Sequence, residues 1–286
     1  MAESADQQPS PPDRGEAGAY LHGYSPEEQL RLRKQARFGE FIVYQDVDLS
    51  GVQRLLEVGC GVGAQSEILL RRFPDIQLTG VDREPQQLAA ANQLLGSLPF
   101  ASGRVQLLRM DASQLEFEPG SFDGAFLCWI LEHVNDPETV LAEVRRVLRP
   151  GARIYVTEVM NSSFFLDPYS PATWKYWMTF NEFQLEHGGD PFVGAKLGNL
   201  LLGTGFESIV TRAKILHFDN RHPVRRHEAI AYWTELLLSA GPQLLEAQVV
   251  TTEHLAEVER ELRQVSRNPH AVFFYSFMQA TARVGG

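Results

Sequence analysis

Residues 55 to 63 read Leu55-Leu56-Glu57-Val58-Gly59-Cys60-Gly61-Val62-Gly63, an apolar run that breaks into glycines at alternate positions. A helical pattern follows at once, carried by Ala64, Ile68, Leu69 and Leu70. Strand, glycine turn and helix in this order open a nucleotide-binding α/β unit. Glycine suits such a turn because it takes positive φ freely and lets a ligand approach backbone that has no Cβ.

Outward from this turn the chain alternates. Strands are expected over residues 54–58, 76–82, 105–111, 122–129 and 152–159, with helices over 64–73, 85–95 and 136–148 between them. Short apolar runs separated by amphipathic helices specify a mainly parallel sheet covered on both faces. Right-handed crossovers then bring the strand C-terminal ends to one edge, where ligands bind. An aromatic stretch from Phe164 to Phe183 comes next, then a helix over 192–204 stopped by Gly205 and a strand over 206–217. Helices over 228–240 and 252–265 precede a last strand, 271–284, read as antiparallel to 206–217. The fold class is therefore α/β, a Rossmann-like sheet of seven mainly parallel strands with an antiparallel last strand. An N-terminal lid helix and an α-helical cap complete it.

Residues 1–19 are rich in Pro, Ser, Gln and Gly and are expected to be a disordered tail. Residues 20–286 form a single unit in this reading. Its lid is 20–50, its core 51–160, 190–218 and 270–284, and its cap 161–189 and 219–269. Ser25-Pro26-Glu27-Glu28 is a helix start, with Ser as cap and Pro in the first turn. The 286 residues carry a net charge of −10, which disfavours a phosphate backbone as partner. No apolar run is long enough for a bilayer, and no export signal opens the chain. Two cysteines, Cys60 and Cys128, indicate no disulfide framework and fit a reducing, cytoplasmic setting. His217, His222 and His227 do not share one helical face, so no metal site is expected. Nothing in the sequence speaks to oligomeric state.

Three carboxylates sharpen the glycine turn. Glu57 sits two residues before Gly59, Asp82 ends the second strand, and Asp111 ends the third. An acceptor-only group at Asp82 suits both hydroxyls of a ribose, and one at Asp111 suits an exocyclic amine. The set resembles the class I S-adenosylmethionine-dependent methyltransferases. Glu57 to Gly63 matches their first motif, Gly80-Val81-Asp82 their second, and Asp111-Ala112 their third. Phe122 to Val134 is similar to their fourth in its ubiquinone/menaquinone C-methyltransferase-like form, and Leu148 to Arg153 to the turn before their fifth strand. The Gly-x-Gly-x-Gly spacing also argues against a nicotinamide cofactor.

The resemblance implies S-adenosylmethionine as cofactor and a small molecule as partner. It places Gly59, Cys60 and Gly61 under the methionine part and gives Glu57 the loop or the amino group. Asp82, with Arg83 beside it, takes the ribose, and Asp111 and Ala112 take the adenine. Cys128 and Trp129 come to the sulfonium region, Cys128 through its backbone. In the lid, Arg31 and Gln35 share a face, and Arg31 is a candidate partner for the methionine carboxylate. Tyr20 and Tyr24 are candidates to close over the sulfonium. In the cap, Phe164, Phe165, Tyr169, Trp174, Tyr176, Trp177 and Phe180 offer an aromatic lining, with Tyr176 and Trp177 favoured for ligand contact. His133 is the candidate base and the Glu186-His187 pair a second choice.

Three activities remain open at this stage. The first is methyl transfer to a small molecule of secondary metabolism. The second is a lyase that closes the cofactor's own aminocarboxypropyl chain into azetidine-2-carboxylate and releases methylthioadenosine. The third is a cofactor-binding sensor without turnover.

Overall fold

The computed structural model describes residues 22–286, so the expected tail and Tyr20 lie outside the described residues. Helix α1 (Pro26–Val43) starts as the sequence predicts: the Ser25 hydroxyl accepts from the Glu28 amide at 3.2 Å, and Glu27 and Glu28 sit in the first turn. The core then alternates through β1 (Arg54–Val58), α2 (Ala64–Arg72), β2 (Gln77–Asp82), α3 (Pro85–Gly96), β3 (Val105–Arg109), β4 (Phe122–Cys128), α4 (Pro137–Val147) and β5 (Leu148–Val159). Glu84 and Asp136 cap α3 and α4. β1, β2, β3, β4 and β5 pair in parallel in the order β3-β2-β1-β4-β5. Strand order reverses between β1 and β4, so a crevice opens at the C-terminal end of β1, which is where the glycine turn begins.

The remaining strands are β6 (Phe165–Asp167), β7 (Phe206–Phe218) and β8 (Val272–Val284). β8 runs antiparallel to β7, as expected for 271–284 beside 206–217, and also antiparallel to β5 on its other side. The sheet has eight strands, not seven. The extra one is β6, inside the segment expected to be helical cap. Pairing of β5 with β8 stops at Val159 opposite Phe277, which leaves the first residues of β8 with an open edge on that side. β6 fills it, Phe165 opposite Phe274.

The cap is built from α5 (Pro171–Glu186), α7 (Pro223–Ser239), α8 (Gly241–Glu246) and α9 (Thr252–Arg267), with α6 (Leu197–Gly203) against the sheet. α7 starts five residues earlier than its apolar pattern suggests, at a proline in its first turn. The helix expected over 192–204 is shorter, because residues 193–196 form a 3-10 turn. A Cβ on Gly194 would lie 2.5 Å from the Val159 carbonyl, so the backbone there lies directly on the end of β5. Buried rings join the cap to the sheet: Phe164 stacks on Trp233 at 5.2 Å, and Trp233 meets Phe273 edge-on at 5.3 Å. Among the described residues no helix is long and apolar enough to cross a membrane.

Candidate active site

The glycine turn folds tightly onto β2. The amides of Gly59 and Cys60 both donate to the Val81 carbonyl, at 2.9 and 3.0 Å. Gly59 has φ +70°, and a Cβ there would meet Ile130 Cδ1 at 2.6 Å. Gly61 has φ +50° and no atom within 4 Å of where its Cβ would be, so it borders open space.

That space is one cavity of about 270 Å³. It runs from the turn along the ends of β2 to β5, under α1, and into the cap. Asp82 borders it with its carboxylate already oriented: Oδ2 accepts from the Gly61 amide at 2.8 Å and Oδ1 from the Glu84 amide at 2.9 Å. Burial pushes this carboxyl above its ordinary range, against the pull of those amides. Asp111, Ala112 and Arg83 border the cavity too. Ser113 donates to Asp111 Oδ1 through its hydroxyl at 2.7 Å and its amide at 2.8 Å, which holds that carboxyl below the usual range. Glu57 does not reach the cavity. Its Oε2 accepts from the Ser66 hydroxyl at 2.6 Å, which ties β1 to the first turn of α2. Burial, with Asp82 adding to it, pushes Glu57 up to about 8. Of the two roles the sequence allows it, the geometry matches holding the loop.

Cys60 and Cys128 border the cavity as thiols that burial keeps protonated. Trp129 follows with φ +57°, an uncommon backbone state for a bulky residue. It is held by its amide on the Thr157 carbonyl at 2.9 Å. The Trp129 ring reaches the lid, since a Cβ on Gly39 would lie 3.3 Å from its Cη2.

Tyr24 comes to the cavity from before α1, and Arg31, Leu32, Gln35 and Phe38 come from the face of α1 that the three- and four-residue spacing marks. Arg31 is buried and bidentate on Glu28, at 2.7 and 2.6 Å, while its Nη1 donates to Gln35 at 3.0 Å and to Tyr232 at 3.5 Å. A carboxylate at Arg31 therefore shares the guanidinium with Glu28. His22, which the sequence reading passed over, lies 2.7 Å through Nδ1 from the Ser239 hydroxyl and 5.6 Å from the Phe180 ring. It pins the entry of the lid to α7, and burial keeps its pKa low.

At the far end the expected aromatic lining is only partly realised. Trp177 and Phe180 line the cavity, stacked 5.3 Å apart, and Trp177 Nε1 donates to the Asn161 carbonyl at 2.9 Å. Tyr176 does not line it: its hydroxyl donates to the Leu237 carbonyl at 2.6 Å, inside the cap. A helix turns by about 100° per residue, so neighbours in sequence cannot share a face. Phe164 is packed in the cap core, and Phe165 and Tyr169 are exposed. The rest of the lining comes from residues the sequence reading missed, among them Asn161, Tyr232, Trp233, Tyr275 and Phe277. Tyr275 and Phe277 alternate along β8, a period-2 signal that marks one sheet face without saying what covers it.

His133 lines the cavity at the end of the short 3-10 turn Leu131–His133. Its Nε2 is 3.6 Å from Glu132 Oε1, and Glu132 Oε2 accepts from Gln184 Nε2 at 3.2 Å. Burial lowers the His133 pKa and outweighs the opposing pull of Glu132, so the ring is neutral at pH 7. His187 faces solvent, its Nδ1 2.7 Å from the Phe183 carbonyl, and takes no part in the cavity. Among the described residues, no group of three His, Cys, Asp or Glu is placed to hold a metal ion.

Residues 56–156 match the family model described as a methyltransferase domain. An O-methyltransferase of Penicillium expansum, cnsE, is 32% identical over 196 residues, 67% of each chain. The chain belongs to the class I S-adenosylmethionine-dependent methyltransferases. A second fungal O-methyltransferase, resE of Aspergillus sclerotiorum, is 33% identical over 61% of each chain, so the matched parts make up about two-thirds of these relatives. A ubiquinone/menaquinone biosynthesis C-methyltransferase of Desulfotalea psychrophila is a shorter match, 30% identical over 43% of this chain. The crystal structure of the [4+2]-cyclase SpnF shares the fold, with TM-score 0.54 and 23% identity over 87% of this chain and 81% of that one. The cofactor of this methyltransferase is S-adenosylmethionine. The site's own geometry fits it: open space over Gly61, a preoriented carboxylate at Asp82, and a second at Asp111 beside the small Ala112.

Proposed function

We propose that this methyltransferase methylates a hydroxyl oxygen of a small acceptor in secondary metabolism, with His133 as the base. One observation carries the reading: the cavity that starts at Gly61 continues without a wall past Trp129 and His133 into the aromatic end. Bound at the glycine turn, S-adenosylmethionine supplies an electrophilic methyl group. Asp82, Arg83, Asp111 and Ala112 hold its nucleoside part, Gly59, Cys60, Gly61 and the Cys128 backbone border its sulfur end, and Tyr24 and Arg31 close the lid. Glu57 contributes through the loop it fixes. His133, neutral and facing the cavity, takes the proton of the acceptor hydroxyl, and Glu132 steadies the imidazolium that results. Trp177, Phe180 and Trp233 keep water from the developing oxyanion. Relatives described as O-methyltransferases, such as cnsE, supply the precedent for oxygen as the acceptor atom.

Incubation with S-adenosylmethionine and a panel of small phenols tests it, with S-adenosylhomocysteine as readout. Turnover with at least one phenol is expected, falling about 10²-fold or more in His133→Gln. Release of methylthioadenosine without any acceptor sinks it.

That last outcome belongs to a second reading, which the size of the cavity favours. About 270 Å³ lies just under the range of about 300–1,000 Å³ for sites of single drug-sized ligands. A cavity filled by one molecule favours ring closure within the aminocarboxypropyl chain. Its amino nitrogen bonds to the carbon next to sulfur, that carbon–sulfur bond breaks, and His133 receives the proton. Incubation with S-adenosylmethionine alone separates the two readings.

A further inference from the structure

A second buried carboxyl lies beneath the turn that carries His133, and neither reading of the function uses it. Glu158, near the end of β5, is fully buried. Its Oε1 accepts from the Ile130 amide at 2.9 Å and from the Leu131 amide at 2.7 Å. Its Oε2 is buried without a hydrogen-bond partner. Those two amides open the 3-10 turn Leu131–His133, so one oxygen fixes the start of a turn whose last residue faces the cavity. The next residue, Glu132, is anchored from the other side: Gln184 Nε2 donates to its carbonyl at 3.1 Å as well as to its side chain.

We propose that Glu158 is a positioning residue: by reach rather than by charge, its carboxyl grips the two amides that open the turn and so sets where the His133 ring stands. The proposal rests on the reading of His133 as the base. Two observations separate reach from charge. Among the described residues no cation is paired with Glu158, and its second oxygen makes no hydrogen bond. Burial and the neighbouring Glu132 push it up to about 8 against the pull of the backbone amides, so at pH 7 it is a neutral acid. A neutral carbonyl oxygen at the same place still accepts from both backbone amides, less strongly than a carboxylate does. Ile130 Cδ1 fills the space against Gly59, so the competing role for the same grip is support of the cofactor loop.

Two substitutions in the full chain pull reach and charge apart. Glu158→Gln keeps the length and the acceptor and removes the ionisable group. Glu158→Asp keeps the ionisable group and shortens the reach by one methylene. The readout is the histidine ring resonances of ¹³C-histidine-labelled protein, with the His133 signal assigned by its loss in His133→Gln. The expected result is that Glu158→Gln leaves the His133 resonance in place and Glu158→Asp displaces it. Affinity for S-adenosylhomocysteine, measured by calorimetry, stays within about twofold in both, since each contact to the nucleoside is intact. The proposal is overturned if Glu158→Asp leaves the resonance unmoved, or if Glu158→Gln moves it as far as Glu158→Asp. It is also overturned if affinity falls in step with the displacement, because Glu158 then serves Gly59 through Ile130. Should Glu158→Asp fail to fold, the Glu158→Gln spectrum decides alone: an unmoved resonance upholds reach and a moved one overturns it. Full turnover in His133→Gln sinks the base reading and leaves the resonance result standing.

Discussion

The two halves of the cavity are built on different principles. The cofactor half is made of backbone. The Gly59 and Cys60 amides hang from the Val81 carbonyl and the Gly61 amide from the Asp82 carboxylate, with Asp82 at the end of β2 and Asp111 two residues past β3. The cap half is made of side chains that arrive from α5, α7 and β8, up to about 100 residues apart in sequence. A site made of local backbone has one solution, and residue spacing encodes it. A site made of convergent rings has many, and the packing of the helices selects one. The first half should therefore fail abruptly on single changes, and the second gradually.

The largest effect on cofactor affinity is expected at Asp82. Asp82→Ala removes the ribose acceptor and frees the Gly61 amide, and affinity for S-adenosylhomocysteine should drop about 100-fold or more by calorimetry, each charge-assisted hydrogen bond being worth about 1.5–3 kcal/mol. Unchanged affinity would break the assignment of the backbone half. Trp177→Ala should destabilise the cap by about 3–5 kcal/mol, read as the unfolding midpoint in urea, because it empties a buried ring position between Phe164 and Phe180. A loss confined to cofactor affinity would mean that the cap packs without it. Arg31→Ala removes the partner of the buried Glu28, so the lid should dock poorly and affinity fall about tenfold, a coupling of about 1.4 kcal/mol.

A smaller effect is expected from pH. Glu57 and Glu158 have folded-state pKa values raised to about 8, above their unfolded value near 4.5. Their contribution is fully present below about 4.5 and is lost as pH rises through about 8, at most about 1.4 kcal/mol per group per pH unit. His22 and His133 have lowered values, so their contribution is present above 6.5 and is lost as pH falls below it. Thermal melts should therefore show lower midpoints at pH 9 than at pH 7, and Glu57→Gln should flatten that alkaline slope. A slope that Glu57→Gln leaves unchanged removes Glu57 from the account. The smallest effect is Tyr176→Phe, expected to cost about 1 kcal/mol of stability through the lost bond to Leu237 and to leave S-adenosylhomocysteine affinity untouched. A loss of affinity there would restore Tyr176 to the site.

How far the chain could be read in advance follows the same division. The glycine turn, Asp82, Asp111 and the alternation of β1 to β5 are short-range signals: a turn chemistry, a strand end, a period. The alternation and Asp82 at the end of β2 lie where expected, while β3 stops at Arg109 and leaves Asp111 two residues past it. The lid face was legible for the same reason, because α1 is one amphipathic helix and Arg31, Gln35 and Phe38 follow its repeat. Reading failed where the decisive contact is long-range. Tyr176 and Trp177 are equivalent as neighbours in sequence, yet only the angle at which α5 meets α7 turns Trp177 to the cavity and Tyr176 to Leu237. β6 was invisible, since three residues carry no period and exist as a strand only because β8 outruns β5.

By itself, then, the sequence determined the parallel core of the sheet and the edge that binds, because local backbone geometry suffices for those, and the resemblance of its motifs to a family implied the cofactor. Which rings close the cavity, that Glu57 braces the loop, and that Glu158 sits under the His133 turn were decided only in three dimensions. Burial and partner geometry set those roles, and neither exists until distant segments pack together.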